Sequence, residues 1–167
     1  CPWGAFHSAG GPAEPAAQML GAPMPRNVIF HGGVPHARVP HFVAGFDVML
    51  APYQRKVTVA DGRTDAAQWM SPLKIFEYMA AGKPMLVSDL PVLREIVSDG
   101  ETGLLLSPDQ PAAWAAALQR LHDDSDLRAR LGARARAVFL ERHTWTQRAR
   151  HILTASGLAS TQPMRAA

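Results

Sequence analysis

The sequence predicts an α/β fold in which a parallel β-sheet is flanked by helices, and two observations support this prediction. Short apolar runs, such as 28–30 and 85–88, alternate along the chain with longer segments of helical periodicity. Strands separated by helices are typical of strand–helix–strand units, in which neighbouring strands run parallel. The 167 residues are 47% hydrophobic and 19% charged, which suits a single globular domain with one core.

Composition and charge argue against several classes of protein. No run approaches the roughly 18 apolar residues of a membrane span, and no basic-then-apolar signal sequence is visible. The net charge of +3 is too small to indicate a nucleic-acid partner. The single Cys1 cannot form an internal disulfide, which favours a reducing compartment. We therefore expect a cytoplasmic protein.

The first half of the chain has the weaker secondary-structure pattern, especially within residues 1–27. Apolar runs bounded by glycine and proline mark the strands, and polar segments between them mark helices and turns. The expected elements are a strand at 3–8, a turn at 10–12, a helix at 14–20, a strand at 28–30, a helix at 34–44 and a strand at 46–50.

The second half of the chain is more regular. After a polar loop at 54–70, the pattern again alternates apolar runs with helical segments. Asp109 is expected to cap the first of three helices that follow the last strand. The expected elements are helices at 71–82 and 89–97, strands at 85–88 and 104–106, and helices at 111–122, 125–141 and 145–155.

The helix that begins near Ser71 has both of its ends marked. Ser71 is a favourable N-cap, and Pro72 suits the first helical position. Gly82 can adopt the left-handed conformation that ends a helix, and Pro84 prevents continuation. The apolar residues at helical spacing are Leu73, Phe76, Met79 and Ala80.

The N-terminus of this helix is a candidate binding site for a phosphate that carries a sugar. Ser71, Lys74 and Glu77 are spaced three apart and therefore share one helix face. A helix N-terminus favours an anion, Lys74 adds a full positive charge, and the Glu77 carboxylate can accept from sugar hydroxyls. The alternative interpretation is an exposed Lys–Glu ion pair, worth a few tenths of a kcal/mol.

Residues 71–84, SPLKIFEYMAAGKP, and the following MLVSDLP resemble the donor-binding motif of retaining GT-B glycosyltransferases of the glycosyl transferases group 1 family. The resemblance extends over residues 28–153 and is most specific over 71–106. It implies a Rossmann-like fold that forms the C-terminal, donor-binding half of a GT-B architecture. Residues 1–167 would then be one nucleotide-sugar-binding domain, with 1–27 poorly defined and 157–167 a loose tail.

The resemblance also implies an activity and a set of contacts. The implied activity is transfer of a sugar from a nucleoside diphosphate, with retention of configuration and without a metal or another cofactor. The helix start would contact the phosphates, Glu77 the ribose, and the loop after the strand at 28–30 the base. The implied substrate-binding residues are Gly33, Val34, Ser71, Leu73, Lys74 and Glu77. No catalytic residue is assigned, and the base, the sugar and the acceptor stay open.

The resemblance places acceptor binding in an N-terminal domain of the same enzyme, for which these residues leave no room. Most members of the family also have a glutamate eight positions before the one matched by Glu77, and Trp69 stands there instead. The rival hypothesis is therefore a nucleotide-binding or protein-interaction module without activity of its own.

Two groups of side chains allow a second interpretation. Arg55 and Lys56, in the loop at 54–70, could bind a diphosphate or form a solvated pair. We interpret the arginine-rich segment at 128–150 as a solvated surface. The alternative is contact with anionic lipid at the inner face of the membrane. His31, His36 and His41 share no helix or strand face, so we expect no metal site.

Overall fold

The computed structural model describes residues 1–10, 18, 23–56 and 71–158. Its strands are β1 (Phe6–Ser8), β2 (Val28–Phe30), β3 (Met49–Ala51), β4 (Met85–Ser88) and β5 (Leu104–Leu106). Its helices are α1 (Val39–Gly45), α2 (Leu73–Ala80), α3 (Pro91–Arg94), α4 (Pro111–Asp123), α5 (Ser125–Val138) and α6 (Trp145–Ala155). A 3-10 turn (His36–Arg38) precedes α1, and a π-helical turn (Phe139–His143) links α5 to α6. Most of the predicted helix at 14–20 and of the loop at 54–70 lies outside the described residues.

All pairings between the described strands are parallel, as the alternation of strands and helices predicts. β3, β4 and β5 form a three-stranded sheet in that order, and β1 pairs with β2 in a separate two-stranded sheet. Met49 of β3 lies opposite Met85 of β4, and Phe6 of β1 lies opposite Val28 of β2. The strand predicted at 46–50 begins later, because the Phe46 N–H donates to the Val43 carbonyl (3.3 Å) at the end of α1.

The core has two parts, one on each face of the three-stranded sheet. Every residue of β4 is buried. Successive side chains of a strand point to opposite faces. Met85 and Val87 accordingly pack with Ile75 and Met79 of α2 on one face, whereas Leu86 packs on the other. The partners of Leu86 on that second face are Leu104, Ala117, Leu121, Leu127 and Leu131. Two helical layers therefore enclose the sheet, as expected for an α/β fold.

The start of α2 differs from the prediction. Ser71 does not cap the helix; Pro72 occupies the N-cap position, without a side-chain capping bond and with φ −81° and ψ 77°. These angles are those of an inverse γ-turn, in which the Leu73 N–H donates to the Ser71 carbonyl (2.9 Å). The Leu73 side chain is 64% exposed. Met79 of the predicted stripe is buried, and Ile75, which the prediction omitted, is buried with it.

The far end of α2 is held against α5. Gly82 has φ +66°, the left-handed conformation predicted for the residue that ends this helix. A Cβ atom on Gly132 of α5 would lie only 2.1 Å from the Gly82 carbonyl oxygen. Two backbones can approach this closely only where a side chain is lacking.

Other helix ends also depart from the predicted positions. Asp109 does not cap α4, whose N-cap is Gln110. α3 is a single turn that ends at Arg94, short of the predicted Val97. The Asp124 carboxylate accepts from the Leu127 N–H (2.7 Å) and caps α5, a cap that we did not predict. Among the described residues, no helix is long and apolar enough to cross a membrane.

Candidate nucleotide-binding site

The carboxyl ends of β3, β4 and β5 meet at one edge of the sheet and are tied together by hydrogen bonds. The Ser88 hydroxyl donates to the Tyr53 carbonyl (2.6 Å), which links β4 to the segment after β3. The Asp89 N–H donates to the Leu106 carbonyl (2.8 Å), which links the end of β4 to β5. Ligands of open α/β sheets bind beyond this edge. These hydrogen bonds therefore hold the segments that follow the three strands in fixed positions.

Two positively charged side chains reach this edge from different elements. The Lys74 Nζ lies 4.6 Å from the centroid of the Tyr53 ring, a cation–π geometry. Arg55 forms an ion pair with Asp109, and its Nη2 lies 3.5 Å from the Ser107 Oγ. The Arg55 and Asp109 side chains are 62% and 59% exposed, so water screens their attraction. An anion could therefore replace Asp109 at little cost.

A second ion pair lies at the end of β4. Asp89 accepts two hydrogen bonds from Arg94, at 2.5 Å from Nε and 2.7 Å from Nη2. This hydrogen bonding with Arg94 lowers the pKa of the Asp89 carboxyl. The carboxylate is therefore ionised at neutral pH and engages the Arg94 guanidinium.

Glu77 lies in a groove between α1 and α2. The groove has a volume of about 680 Å³, and its lining includes His36, Val43, Glu77 and Lys83. Most of the lining is apolar, and the Lys83 ammonium donates to the Ala44 carbonyl (2.7 Å). The walls are thus able to enclose a flat apolar ring, while Glu77 supplies a carboxylate acceptor.

The structure brings some of the predicted site residues together but not others. Lys74 and Glu77 are both exposed on α2. Gly33 and Val34 lie two to three positions before His36, which lines the Glu77 groove. Ser71 is exposed but is not part of that groove. The Leu73 N–H, predicted to donate to a phosphate, donates to the Ser71 carbonyl instead, because the γ-turn at Pro72 directs it there.

Sequence reasoning missed the roles of Tyr53 and Asp109. Tyr53 lies beneath the Lys74 ammonium, and Asp109 holds Arg55. The available signal was position, since each residue lies within three positions of the end of an apolar strand. Trp69 lies outside the described residues.

Histidines do not gather into a metal site within the described ranges. The His7 Nδ1 lies 2.9 Å from the His31 Nε2, and the two rings stack with centroids 5.2 Å apart. In the described part of the chain, no group of three or more His, Cys, Asp or Glu side chains is placed to hold a metal ion.

Comparison with known proteins identifies the family. Residues 4–154 match the family model described as glycosyl transferase-like. The chain belongs to this family. A D-inositol 3-phosphate glycosyltransferase of Jonesia denitrificans is 31% identical over 153 residues, an alignment that covers 82% of this chain and 36% of that protein. The chain spans between 14% and 36% of the length of the curated family relatives that it matches.

Two solved structures show a similar fold. Anabaena Alr3699/HepE in complex with UDP-glucose matches with a TM-score of 0.68 and 19% identity, over 92% of this chain and 41% of that one. The C-terminal domain of a group 1 family glycosyl transferase (LpcC) from Francisella tularensis matches with a TM-score of 0.59 and 20% identity, over 79% of this chain and 60% of that one. The prediction of a Rossmann-like α/β domain of GT-B type is confirmed.

Proposed function

We propose that this chain binds the nucleoside-diphosphate-sugar donor of a glycosyltransferase. The observation that carries the proposal is the convergence of Lys74, Arg55 and the start of α2 at the carboxyl edge of the sheet. These groups supply positive charge and backbone donors from separate elements, as a diphosphate requires. Family membership over residues 4–154 supports the same function, as does the UDP-glucose bound to the Anabaena protein.

In the proposed complex, the diphosphate replaces internal partners of the site. Arg55 exchanges the Asp109 carboxylate for a phosphate oxygen, and Lys74 moves from the Tyr53 ring toward the second phosphate. At the start of α2, the Leu73 N–H becomes available as a donor once the γ-turn opens. As the bond to the sugar breaks, negative charge grows on the departing diphosphate, and these fixed positive groups stabilise it. We propose that this charge is stabilised without a metal and that the sugar retains its configuration.

The nucleoside is assigned to the groove between α1 and α2. Glu77 accepts hydrogen bonds from the two ribose hydroxyls, and the base lies against the loop at Gly33 and Val34. Gly32 has φ +65°, so this loop turns sharply at a residue without a side chain. The turn leaves room for a ring to approach the backbone.

The acceptor is assigned to another part of the full-length enzyme, an N-terminal domain that would close over the donor. We propose a cytoplasmic enzyme of polysaccharide or glycolipid synthesis.

Hydrogen bonds and ion pairs within the chain support the interpretation of the arginine-rich segment at 128–150 as a solvated surface. Arg134 pairs with Glu101 (2.8 Å), Arg142 pairs with Glu141 (3.2 Å), and Arg128 donates to the Leu121 carbonyl.

The test is a calorimetric titration of the chain with ADP, GDP, UDP and TDP, each with and without EDTA. We expect saturable binding of at least one diphosphate and the same affinity in both buffers. An Arg55→Gln variant should bind more weakly, because it loses one of the two positive groups. Binding that disappears with EDTA would contradict the metal-free proposal. Failure of all four nucleotides would contradict donor binding and favour the interaction-module hypothesis.

A further inference from the structure

The two positive groups of the proposed donor site have different partners within the chain. The Lys74 ammonium lies 4.6 Å from the centroid of the Tyr53 ring, which carries no charge at neutral pH. The Arg55 guanidinium is instead paired with the Asp109 carboxylate. A phosphate that takes the place of this carboxylate therefore leaves a negative charge beside the site, whereas a phosphate that attracts Lys74 does not.

Asp109 lies in a turn that is held by two hydrogen bonds. The Ser107 carbonyl accepts from the Gln110 N–H (3.3 Å), which closes the turn. The same carbonyl accepts from the Trp114 Nε1 (3.0 Å), which fixes the turn to α4. Neither bond involves Arg55, so the turn does not need the ion pair in order to keep its position. The carboxylate consequently stays near the site when Arg55 turns to a ligand.

A second carboxylate lies within electrostatic range of Arg55. Hydrogen bonding with Arg94 is the main cause of the lowered pKa of Asp89, and the charge of Arg55 also lowers it. Within the chain, the charges on Asp89 and Asp109 thus already balance those on Arg94 and Arg55. Negative charge that a ligand brings to Arg55 is added to a group that is already balanced, and the carboxylates repel it.

A nucleotide-sugar donor and the nucleoside diphosphate that remains after transfer differ in charge at this place. The terminal phosphate of a nucleoside diphosphate is close to doubly charged at neutral pH. In the donor the same phosphate is esterified by the sugar and carries only one negative charge. Repulsion from a neighbouring carboxylate therefore weakens binding of the diphosphate more than binding of the donor.

We propose that Asp109 makes the site discriminate between the nucleotide-sugar donor and the nucleoside diphosphate left after transfer. This inference rests on the proposed donor function and adds a specificity-determining residue to it. Asp109 acts by its charge and by competing for Arg55, without contacting the ligand. Once the sugar has passed to the acceptor, the additional charge on the diphosphate favours its release and the return of Arg55 to Asp109.

The test compares the affinities for donor and diphosphate in matched variants. Wild type, Asp109→Asn and Asp109→Glu are titrated by calorimetry with ADP, GDP, UDP and TDP, and with the glucose derivative of each. We expect Asp109→Asn to bind the diphosphates about tenfold more tightly and the glucose derivatives only about threefold more tightly. Asp109→Glu keeps the charge and should keep the wild-type ratio of the two affinities.

Asp123→Asn is the control for a general change in charge. Asp123 is also an exposed aspartate, but it lies at the other end of α4, about 18 Å along the helix axis from its start. Its replacement should leave both affinities unchanged.

Three results would overturn the inference. An unchanged affinity ratio in Asp109→Asn would show that the carboxylate does not discriminate. The same change of ratio in Asp109→Glu would assign the effect to shape and not to charge. In both cases wild type still binds its ligands, so the donor function stands. Failure of wild type to bind either class of ligand would instead contradict the donor function, and this inference with it.

Discussion

Glu77 is the residue whose proposed role is easiest to isolate. Replacing it with glutamine keeps the size of the side chain and removes the charge that would accept from two ribose hydroxyls. We expect Glu77→Gln to weaken nucleoside-diphosphate binding by about 1–3 kcal/mol, measured by calorimetry. Glu77 is exposed, so the fold should tolerate the change.

A matched control for this variant is Glu95→Gln. Glu95 is also an exposed glutamate, but it follows α3 and is not part of the Glu77 groove. Its replacement should leave binding within about 0.3 kcal/mol of the wild type. Equal affinities for Glu77→Gln and the wild type would remove Glu77 from the ribose site.

His143 gives the stability of the chain a dependence on pH. Burial lowers the pKa of its imidazole from 6.5, and the nearby Arg142 adds to the effect. Folding therefore favours the neutral ring. This contribution to the free energy of unfolding is fully present above pH 6.5 and is lost as the pH falls through the lower pKa of the folded state.

The variant His143→Phe keeps the ring that packs on Phe76 (centroids 5.2 Å apart) and removes the titration. Urea unfolding near pH 7.5 and near pH 5.5 should show a larger loss of stability on acidification in the wild type than in the variant. The difference should stay below about 1 kcal/mol, since the imidazole is only partly buried. A larger loss in the variant would show that the sign is wrong.

Local patterns predicted the exposed pair on α2 but not the partners of other polar side chains. Lys74 and Glu77 follow from helical spacing alone, which depends only on neighbours in the sequence. Asp109, by contrast, is a good cap by residue type, yet it pairs with Arg55, 54 positions away. Spacing along one helix contains no information about such a distant partner.

At the scale of the elements, the contact between α2 and α5 depends on Gly132. A side chain there would collide with the Gly82 carbonyl, which is backbone and cannot rotate away. We expect Gly132→Ala to lower the free energy of unfolding by about 2–4 kcal/mol in urea denaturation, because the helices must separate.

The control for this variant is Gly45→Ala, also at a helical glycine. A Cβ at Gly45 would meet no heavy atom within 4 Å. Its effect on stability should stay within about 1 kcal/mol and could be favourable. If both alanine variants were equally stable, the close approach of α2 and α5 would not contribute to the stability of this fold.

The existence of most elements could be predicted from the sequence, whereas their ends could not. The strands at 28–30, 85–88 and 104–106 have the predicted bounds because each is a short, mainly apolar run with polar or breaking residues beside it. The strand predicted at 46–50 begins at Met49. Phe46 belongs to the end of α1, because its N–H donates to the Val43 carbonyl. Apolarity alone does not distinguish a residue that ends a helix from one that starts a strand.

At the scale of the whole molecule, we expect this chain to bind a nucleoside diphosphate but not to transfer sugar. Transfer requires donor and acceptor to be held at reacting distance, a positioning worth about 7–11 kcal/mol. The proposed donor site would supply one side of that arrangement. The measurement is incubation of the purified chain with radiolabelled nucleotide sugars and a lipid-acceptor extract from cells that lack the endogenous enzyme.

The control for this experiment is the longer polypeptide of the natural reading frame, assayed in the same extract. Labelled product from the longer polypeptide alone would support the division between donor and acceptor parts. Labelled glycolipid formed at enzymatic rates by the 167-residue chain would contradict it.

The sequence predicted the fold class because strand–helix alternation is a property of the whole chain. It did not predict the separation into two sheets, since strand order depends on contacts between distant segments.

We expect the close approach of Gly82 and Gly132 to limit how the proposed donor site can move. Because its C-terminal end packs closely against α5, we expect α2 to tilt about that end. The helix is about 12 Å long, so a tilt of about ten degrees moves its start by about 2 Å. Any adjustment to a ligand is therefore largest at Ser71 and smallest at Gly82, and the charged face of the helix moves as one piece.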